Sequence, residues 1–270
     1  MQALEQLDSS ASNLAFADAW RPGPDVPLIH TSDIHVWRID LSLAIGAERK
    51  SLLSEDEHQR AQRFRLDRDR RRFMAGRSAL RSILARYLLI DPGKLIFQVN
   101  ACGKPYLRDH GCSLRFNLSH SHELALLAVA AGREVGIGIE FIRANVLPDE
   151  VARNFLSLGE MRQLRAIDAE FRLTAFFDCW TRKAAYIKAR GQGMFMPLDQ
   201  FDVAFGVDEP PALLANHLEP SEVSRWSFHQ LFPGDNYAAT VVVEGTVRDV
   251  ELWEFHACHK PDSETLEPRP

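Results

Sequence analysis

Strict alternation of apolar and polar positions predicts several short strands, and residues 134–143, EVGIGIEFIR, alternate most clearly. Because strand side chains point alternately to the two faces, the apolar residues of this segment share one face. The other face carries two glycines and one carboxylate, which are Gly136, Gly138 and Glu140. Glycine inside a strand often marks the close approach of a ligand or of another backbone. The pattern therefore predicts a strand with one core face and one closely packed face.

Apolar residues at helical spacing predict two long helices, one in each half of the chain. The first ends before residues 91–93, DPG, and the second runs from about Glu170 to Arg190 and stops at Gly191. A capping box precedes each long helix, at Ser54 with Glu57 and at Ser157 with Glu160. Short strands with tight turns between them follow the first helix, and this arrangement favours antiparallel pairing.

The order of elements is similar in the two halves, since each runs from a helix end through a glycine-containing turn to an amphipathic strand. We therefore predict an α+β fold of two similar halves, each a small antiparallel sheet packed on a long helix, with the active-site cleft between them. The predicted divisions are an N-terminal arm over 1–28, a first half over 29–135, a second half over 136–247, and a C-terminal extension and tail over 248–270.

Composition narrows the class of protein. The chain has 270 residues and no run that approaches the roughly 20 apolar residues of a membrane span. Its first 20 residues have no Lys or Arg ahead of an apolar core, so we expect a cytoplasmic protein without a membrane partner. The four cysteines are irregularly spaced, which favours reduced structural thiols over disulfides or a zinc site, and they are Cys102, Cys112, Cys179 and Cys258.

Charge is distributed unevenly along the chain. The formal net charge of -5 argues against a general nucleic-acid binder. Between Arg60 and Arg81, however, nine arginines stand against Asp67 and Asp69, which gives this segment a local charge of +7. Such a segment attracts anions, although part of it is expected to be an ordinary solvated helix face.

The segment FNLSHS contains Ser119 and His120, which are candidates for chemistry. Neighbouring residues of an extended segment point to opposite faces, so these two do not form a nucleophilic dyad, and the chain has no G-x-S-x-G elbow. These observations argue against a hydrolase. His120 and His122 can share a strand face as metal ligands, so a zinc site is an alternative. It is the weaker alternative, because no group of cysteines supports it.

Four segments occur in an order and spacing that resemble a known family. They are GKP at 103–105, FNLSHS at 116–121, VGIGIE at 135–140 and WTRKAAYIKARGQG at 180–193. Together they resemble the 4'-phosphopantetheinyl transferase superfamily, in particular its larger, Sfp-like, pseudo-dimeric type. The resemblance implies a monomeric transferase of the holo-[acyl-carrier-protein] synthase type. It would move the phosphopantetheine arm of coenzyme A onto a serine of an acyl or peptidyl carrier protein, releasing adenosine 3',5'-bisphosphate.

The resemblance also implies roles for individual residues. It places Arg60 and Arg72 at the nucleotide end of coenzyme A, Lys104 and His120 at its phosphates and adenosine, and Lys188 at its pyrophosphate. Ser119 and Lys183 complete the implied coenzyme A contacts. The implied catalytic positions are Glu140, Lys188, His120 and Ala184. The implied pathways are fatty acid, polyketide or nonribosomal peptide biosynthesis.

Two positions depart from the family pattern. Where Sfp-like enzymes carry an Asp this chain has Gly138, and where they carry a Glu it has Ala184. Together with Glu140, those two positions hold Mg²⁺ in the family, and the helix Glu is also a candidate base for the attacking serine. Since Mg²⁺ often binds through one or two carboxylates plus phosphates and water, Glu140 can still hold the metal when coenzyme A is present. We expect impaired transfer, and the alternative is an inactive module that binds coenzyme A or a carrier protein.

Overall fold

The computed structural model describes residues 20–108, 113–146, 148, 152–153, 155–193, 196–205 and 209–256. The first half contains six strands and three helices among these residues. They are β1 (Arg21–Pro22), β2 (Asp33–Asp40), α1 (Ala47–Lys50), α2 (Glu55–Gln62), α3 (Asp67–Leu88), β3 (Phe97–Val99), β4 (Pro105–Leu107), β5 (Leu114–Ser121) and β6 (Leu124–Ala131). 

The rest of the chain, from β7 onward, contains six strands and two helices among the same described residues. They are β7 (Val135–Phe141), α4 (Leu158–Ala166), α5 (Ala169–Arg190), β8 (Phe201–Val203), β9 (Leu213–Asn216), β10 (Trp226–Leu231), β11 (Tyr237–Glu244) and β12 (Asp249–Glu254). The two long helices, α3 and α5, have 22 residues each. Both predicted capping boxes are present, at the starts of α2 and α4.

The sheets repeat one topology. Strand order is β1-β12-β2-β6-β5 in the larger sheet and β10-β11-β7 in the smaller one, and β3-β4 and β8-β9 form two separate hairpins. In each half a first strand precedes the long helix, a hairpin follows it, and the last two strands complete the sheet, so β2-β6-β5 corresponds to β7-β11-β10. The prediction of an α+β fold with two similar halves is confirmed.

Three apolar clusters hold the layers together. One joins α3 to the larger sheet through residues such as Leu80 and Trp37, and another joins α5 to the smaller sheet and the β8-β9 hairpin. The third lies between the two sheets and contains Val135, Ile137 and Ile139 of β7. The alternation read in EVGIGIEFIR is thus realised, because its apolar face is buried in the inter-sheet core and its glycine face is turned towards α5.

The C-terminal strand changes the predicted plan. β12 pairs in parallel with both β1 and β2, so the larger sheet is mixed rather than purely antiparallel. Trp253 of β12 packs edge-on against Trp37, with ring centroids 4.8 Å apart. Residues 249–254 and 21–22 are therefore part of the first half's sheet, whereas the prediction assigned them to an extension and an arm. The alternation of residues within one segment shows which face of a strand is buried, but it does not show which strands lie beside it. The sequence therefore did not predict the pairing of β12 with β1 and β2. Residues 1–19 and 257–270 lie outside the described part of the chain.

Candidate active site

A cavity of about 310 Å³ opens between β5, β7 and α5. It brings together six of the predicted site residues, which are Ser119, His120, Gly138, Glu140, Ala184 and Lys188. The first two come from the first half and the other four from the second. Trp180 and Ile187 of α5, together with Leu198, form much of the apolar wall. The candidate site therefore lies where the two halves meet.

The glycine face of β7 is explained by the close approach of α5. A Cβ atom built on Gly136 would lie 2.2 Å from the carbonyl oxygen of Ala185, and one on Gly138 would lie 2.5 Å from the carbonyl oxygen of Thr181. Real side chains do not tolerate such distances to backbone atoms, so each position needs glycine unless the helix moves. A carboxylate at position 138, which the family pattern implies, therefore has no room in this backbone arrangement.

Polar side chains of β5 bind the open edge of β7. The amide oxygen of Asn117 accepts a hydrogen bond from the N–H of Ile137 at 2.9 Å. The hydroxyl of Ser121 accepts one from the N–H of Phe141 at 3.0 Å and donates one to Oε1 of Glu140 at 2.8 Å. These contacts fix both the strand and the carboxylate. Sequence reasoning missed Asn117 and Ser121, although their spacing in N-x-S-x-S puts them on the face of Ser119.

Lys188 is the cation that reaches into the cavity from α5. Its ammonium donates hydrogen bonds to Oγ of Ser119 at 2.6 Å and to the carbonyl oxygen of Ile137 at 3.0 Å. Burial lowers the pKa of Lys188 to about 8, while the negative charge of Glu140 opposes this shift. An ammonium has three donors, so these two bonds leave one proton available for an anion in the cavity.

His120 lies in the field of several charges. Burial and the positive charge of Lys188 lower its pKa, Glu140 acts in the opposite direction, and Arg72 adds a smaller lowering effect. The Arg72 guanidinium lies 3.2 Å from the Glu123 carboxylate. Arg72 therefore acts on the same region as Lys188, although it does not line the cavity.

Two other expected contacts of the nucleotide end lie outside the central cavity. Arg72 lines a second hollow of about 590 Å³ together with Arg68, Arg70 and Arg71. Arg60 is exposed, and its guanidinium stacks over the ring of Phe73 at 5.4 Å. Both residues are part of the basic surface that the sequence predicted around α3.

The ammonium of Lys104 makes hydrogen bonds within the protein and is not free to bind a ligand. Its ammonium donates to the Glu134 carboxylate at 2.6 Å and to the carbonyl oxygens of Val135 and Ala189 at 3.1 and 3.0 Å. All three of its donors are used, and they tie the start of β7 to the end of α5. The structure does not bring Lys104 into the central cavity, contrary to the expected phosphate contact.

Lys183 also differs from the expectation. Its fully buried ammonium lies 2.7 Å from the Glu160 carboxylate and donates to the carbonyl oxygens of Leu198 and Phe201. One step along a helix turns a side chain by about 100°, so Lys183 points away from the cavity that its neighbour Ala184 lines. The predicted coenzyme A contact of Lys183 is therefore replaced by an internal ion pair.

The first half contains the counterpart of this ion pair. Arg81 is the fifteenth residue of α3, as Lys183 is of α5, and it pairs with the capping-box Glu57 at 2.7 Å. It also donates to the carbonyl oxygens of Pro92 and Leu95, which follow the helix as Leu198 and Phe201 follow α5. The repetition indicates that this cation anchors each long helix to the shorter helix before it.

The cavity does not by itself provide the ligands of a resident Mg²⁺ ion. Glu140 is the one carboxylate among its described lining residues, and Gly138 and Ala184 offer no donor atom. No cluster of three or more His, Cys, Asp or Glu side chains that can hold a metal occurs in the described ranges. The zinc alternative gains no support either, since the ring of His122 stacks on Phe141 at 4.7 Å.

Comparison with known proteins gives the class of the chain. Residues 134–242 match the family model described as the 4'-phosphopantetheinyl transferase superfamily. Residues 47–132 match the model described as 4'-phosphopantetheinyl transferase, N-terminal. The two matches cover the two halves in turn. With the similarity to whole relatives given next, they show that this chain belongs to the 4'-phosphopantetheinyl transferase superfamily.

Three similar proteins illustrate the relationship. The chain is 37% identical over 240 residues to the 4'-phosphopantetheinyl transferase HetI of a Nostoc species, which covers 87% of this chain and 98% of HetI. It is 34% identical over 152 residues to a putative 4'-phosphopantetheinyl transferase of Synechocystis, covering 56% and 62%. It is 30% identical over 158 residues to the transferase Sfp of Bacillus subtilis, covering 58% and 69%. The predicted resemblance to Sfp-like transferases is confirmed.

Proposed function

We propose that this chain moves the 4'-phosphopantetheine arm of coenzyme A onto a serine of an acyl or peptidyl carrier protein. The observation that carries the proposal is the cavity between the two halves, where the Lys188 ammonium and the Glu140 carboxylate both face the enclosed space. A cation for a phosphate and a carboxylate near an attacking hydroxyl are what phosphoryl transfer to serine requires.

The reaction exchanges one bond to phosphorus for another. The serine oxygen attacks the phosphorus that carries the pantetheine arm, the bond to the bridging oxygen breaks, and adenosine 3',5'-bisphosphate leaves. Lys188 stabilises the negative charge that develops on the departing phosphate. Glu140 is the candidate acceptor for the serine proton, because Ser121 uses its Oε1 and leaves Oε2 for the substrate.

The nucleotide end of coenzyme A is assigned to the first half. Arg72 and the neighbouring arginines of α3 form a basic surface beside His120, and a guanidinium pairs well with phosphate oxygens. Arg60 extends this surface. Lys104 acts indirectly in this proposal, since it fixes the junction of β7 and α5.

The acceptor protein is assigned to the side of Glu140 that faces away from the nucleotide. A neighbouring hollow of about 250 Å³ shares Glu140 and Trp180 with the central cavity. Its other walls are largely aromatic and include Phe155, Phe176 and Phe177. An apolar surface next to a reacting carboxylate is suited to docking a protein segment that presents a serine.

Magnesium belongs to this proposal only as a partner of the substrate. With one carboxylate in the cavity, a Mg²⁺ ion would need the pyrophosphate oxygens and water for most of its six ligands. Because the residues at 138 and 184 are uncharged, we expect this chain to transfer the arm more slowly than proteins that follow the family pattern and carry carboxylates there. Glu140, Gly138 and Ala184 remain the positions of this chain that correspond to the metal-binding positions of the family pattern.

The alternative function is a module of the same fold that binds coenzyme A or a carrier protein without transferring the arm. The absence of a side chain beyond Cβ at position 184 favours it, because the family pattern has a candidate base there. This alternative shares every binding residue with the transferase. The two functions therefore differ in turnover and not in affinity for coenzyme A.

Further expectations concern the molecule in the cell. We propose a monomer, since the two halves of one chain already supply both sides of the cavity, and a cytoplasmic role in fatty acid, polyketide or nonribosomal peptide biosynthesis. We expect no nucleic-acid or membrane partner. Among the described helices, none combines the length and the apolar character needed to cross a membrane.

A transfer assay tests the proposal. The chain is incubated with coenzyme A that carries a fluorescent group on its thiol and with an apo carrier protein, and label on the carrier is measured after electrophoresis. We expect label on the carrier and none on a carrier whose acceptor serine is replaced by alanine. Coenzyme A binding without any label on the carrier would favour the binding module instead.

A further inference from the structure

The charge of the cavity lining is balanced. Glu140 contributes one negative charge and Lys188 one positive charge, and the other described lining residues are uncharged when His120 is neutral. Positions 138 and 184, which face the same space, carry no ionisable group. A phosphate-bearing ligand that enters this cavity therefore meets no excess of negative charge.

The positive charge is also held in place before a ligand arrives. Two acceptors fix the ammonium of Lys188, namely Oγ of Ser119 and the carbonyl oxygen of Ile137. The Glu140 carboxylate is partly neutralised, because the Ser121 hydroxyl donates to its Oε1 and an Arg143 guanidinium lies 3.9 Å from the same oxygen. A fixed cation beside a partly neutralised carboxylate favours an anion without a further counterion.

We infer that this cavity binds the pyrophosphate of coenzyme A without a divalent cation, and that Lys188 supplies the counter-charge that Mg²⁺ would otherwise provide. The inference rests on the proposed function for the identity of the ligand. Two features of the chain produce it: the helix α5 approaches β7 too closely for a side chain at 138, and Ala184 leaves the helix wall uncharged.

Calorimetry of coenzyme A at low ionic strength tests the inference directly. The same protein is titrated once in buffer with EDTA and once in buffer with excess Mg²⁺. We expect the two dissociation constants to agree within about threefold, a difference of less than 1 kcal/mol. Binding that disappears in EDTA and returns with Mg²⁺ would overturn the inference.

A matched pair of variants tests its electrostatic cause. Ala184→Glu adds a negative charge to the cavity, and Ala184→Gln adds a side chain of nearly the same size without charge. In EDTA we expect the glutamate variant to bind coenzyme A at least about tenfold more weakly than the glutamine variant, and Mg²⁺ should close this gap. Thermal unfolding checks that both variants are folded. Equal binding by both variants in EDTA would contradict the charge argument.

The outcomes separate the inference from the proposed function. Binding that requires Mg²⁺, together with labelled carrier protein, removes the inference and leaves the transferase. No binding of coenzyme A in either buffer removes both, because the cavity then is not the site. Binding in EDTA with unlabelled carrier supports the inference and favours the binding module.

Discussion

Three lysines near the candidate site have different roles although the residue type is the same. Lys188 faces the cavity, Lys104 joins the ends of β7 and α5, and Lys183 neutralises Glu160 inside the second half. Position on an element decides the role in each case. The family resemblance assigns all three to coenzyme A, whereas their hydrogen bonds leave only Lys188 with a donor turned to the cavity.

At the residue scale, replacement of Lys183 should affect stability and not coenzyme A binding. Lys183→Met leaves the buried Glu160 carboxylate without its cation, which costs about 3 to 5 kcal/mol for an interrupted buried pair. Urea unfolding at pH 7 measures the loss. The loss should shrink as the pH falls, because burial already raises the pKa of Glu160 and a proton then neutralises it. A Lys183→Met protein of normal stability that no longer binds coenzyme A would contradict this assignment.

The lowered pKa of Lys188 leads us to expect that the affinity for coenzyme A depends on pH. The free protein holds the proton of Lys188 with a pKa of about 8, and the anion binds the charged form. Affinity should therefore be constant below about pH 7 and fall as the pH rises through 8, by up to tenfold per unit. Calorimetry between pH 6.5 and 9.5 measures it. Lys188→Met should bind more weakly by about 1 to 3 kcal/mol and lack this slope, and an unchanged slope would exclude Lys188 as its cause.

At the element scale, the contact between β7 and α5 determines the shape of the cavity. The two glycines of β7 allow the helix backbone to lie where a Cβ atom would otherwise be. This close packing places Lys188 and Ala184 of α5 on the wall of the cavity. On the other edge of the cavity, the side chains of Asn117 and Ser121 take the place of a neighbouring strand. The positions of the reacting side chains are thus set mainly by the distance between the backbones of β7 and α5.

Substitution of Gly136 tests this contact. Gly136→Ala places a methyl group 2.2 Å from backbone atoms of both Ala185 and Ala189, so the helix must shift. We expect a loss of stability of about 1 to 3 kcal/mol or more, as for other overpacked cores. Gly46→Ala is the matched control, because a Cβ there has no atom within 4 Å, and it should cost less than about 1 kcal/mol. Equal unfolding midpoints of the two variants in urea would contradict the close approach.

At the scale of the whole molecule, the last strand of the described chain completes the sheet that contains its first strands. β12 lies between β1 and β2 and places Trp253 against Trp37 and His35 in the core beneath α3. Arg38 of β2 also donates to the carbonyl oxygen of Pro233, between β10 and β11, and so links the two halves. The second half therefore contributes to the stability of the first.

Removal of β12 should unfold the protein. A chain that ends at Val247 loses the strand between β1 and β2 and the buried ring of Trp253, and loss of a buried aromatic ring alone costs about 3 to 5 kcal/mol. We expect no cooperative thermal transition by circular dichroism. A chain that ends at His256 keeps β12 and is the matched control, for which a cooperative transition is expected. Cooperative unfolding of the shorter chain would show that β12 is dispensable.

Much of this arrangement could be predicted from sequence, and the exceptions have physical reasons. Periodicity gives the faces of β7 and the extents of the long helices because both are local properties. The glycines of β7 indicate that something packs closely there, but the pairing of β12 with β2 and the identity of α5 as the element that approaches Gly138 depend on contacts between distant segments, which no local pattern contains. Helical geometry alone separates Lys183 from Ala184 and Lys188, and this signal was present in the sequence.

The central claim is that this chain transfers phosphopantetheine to a carrier-protein serine, and intact-protein mass spectrometry tests it most directly. The chain, coenzyme A and an apo carrier protein are mixed with chain and carrier in equal amounts, so that even one slow turnover is visible. The account predicts conversion of the carrier to a species heavier by one phosphopantetheine arm, with release of adenosine 3',5'-bisphosphate. A carrier of unchanged mass, after long incubation with Mg²⁺ and a chain that binds coenzyme A, would contradict it.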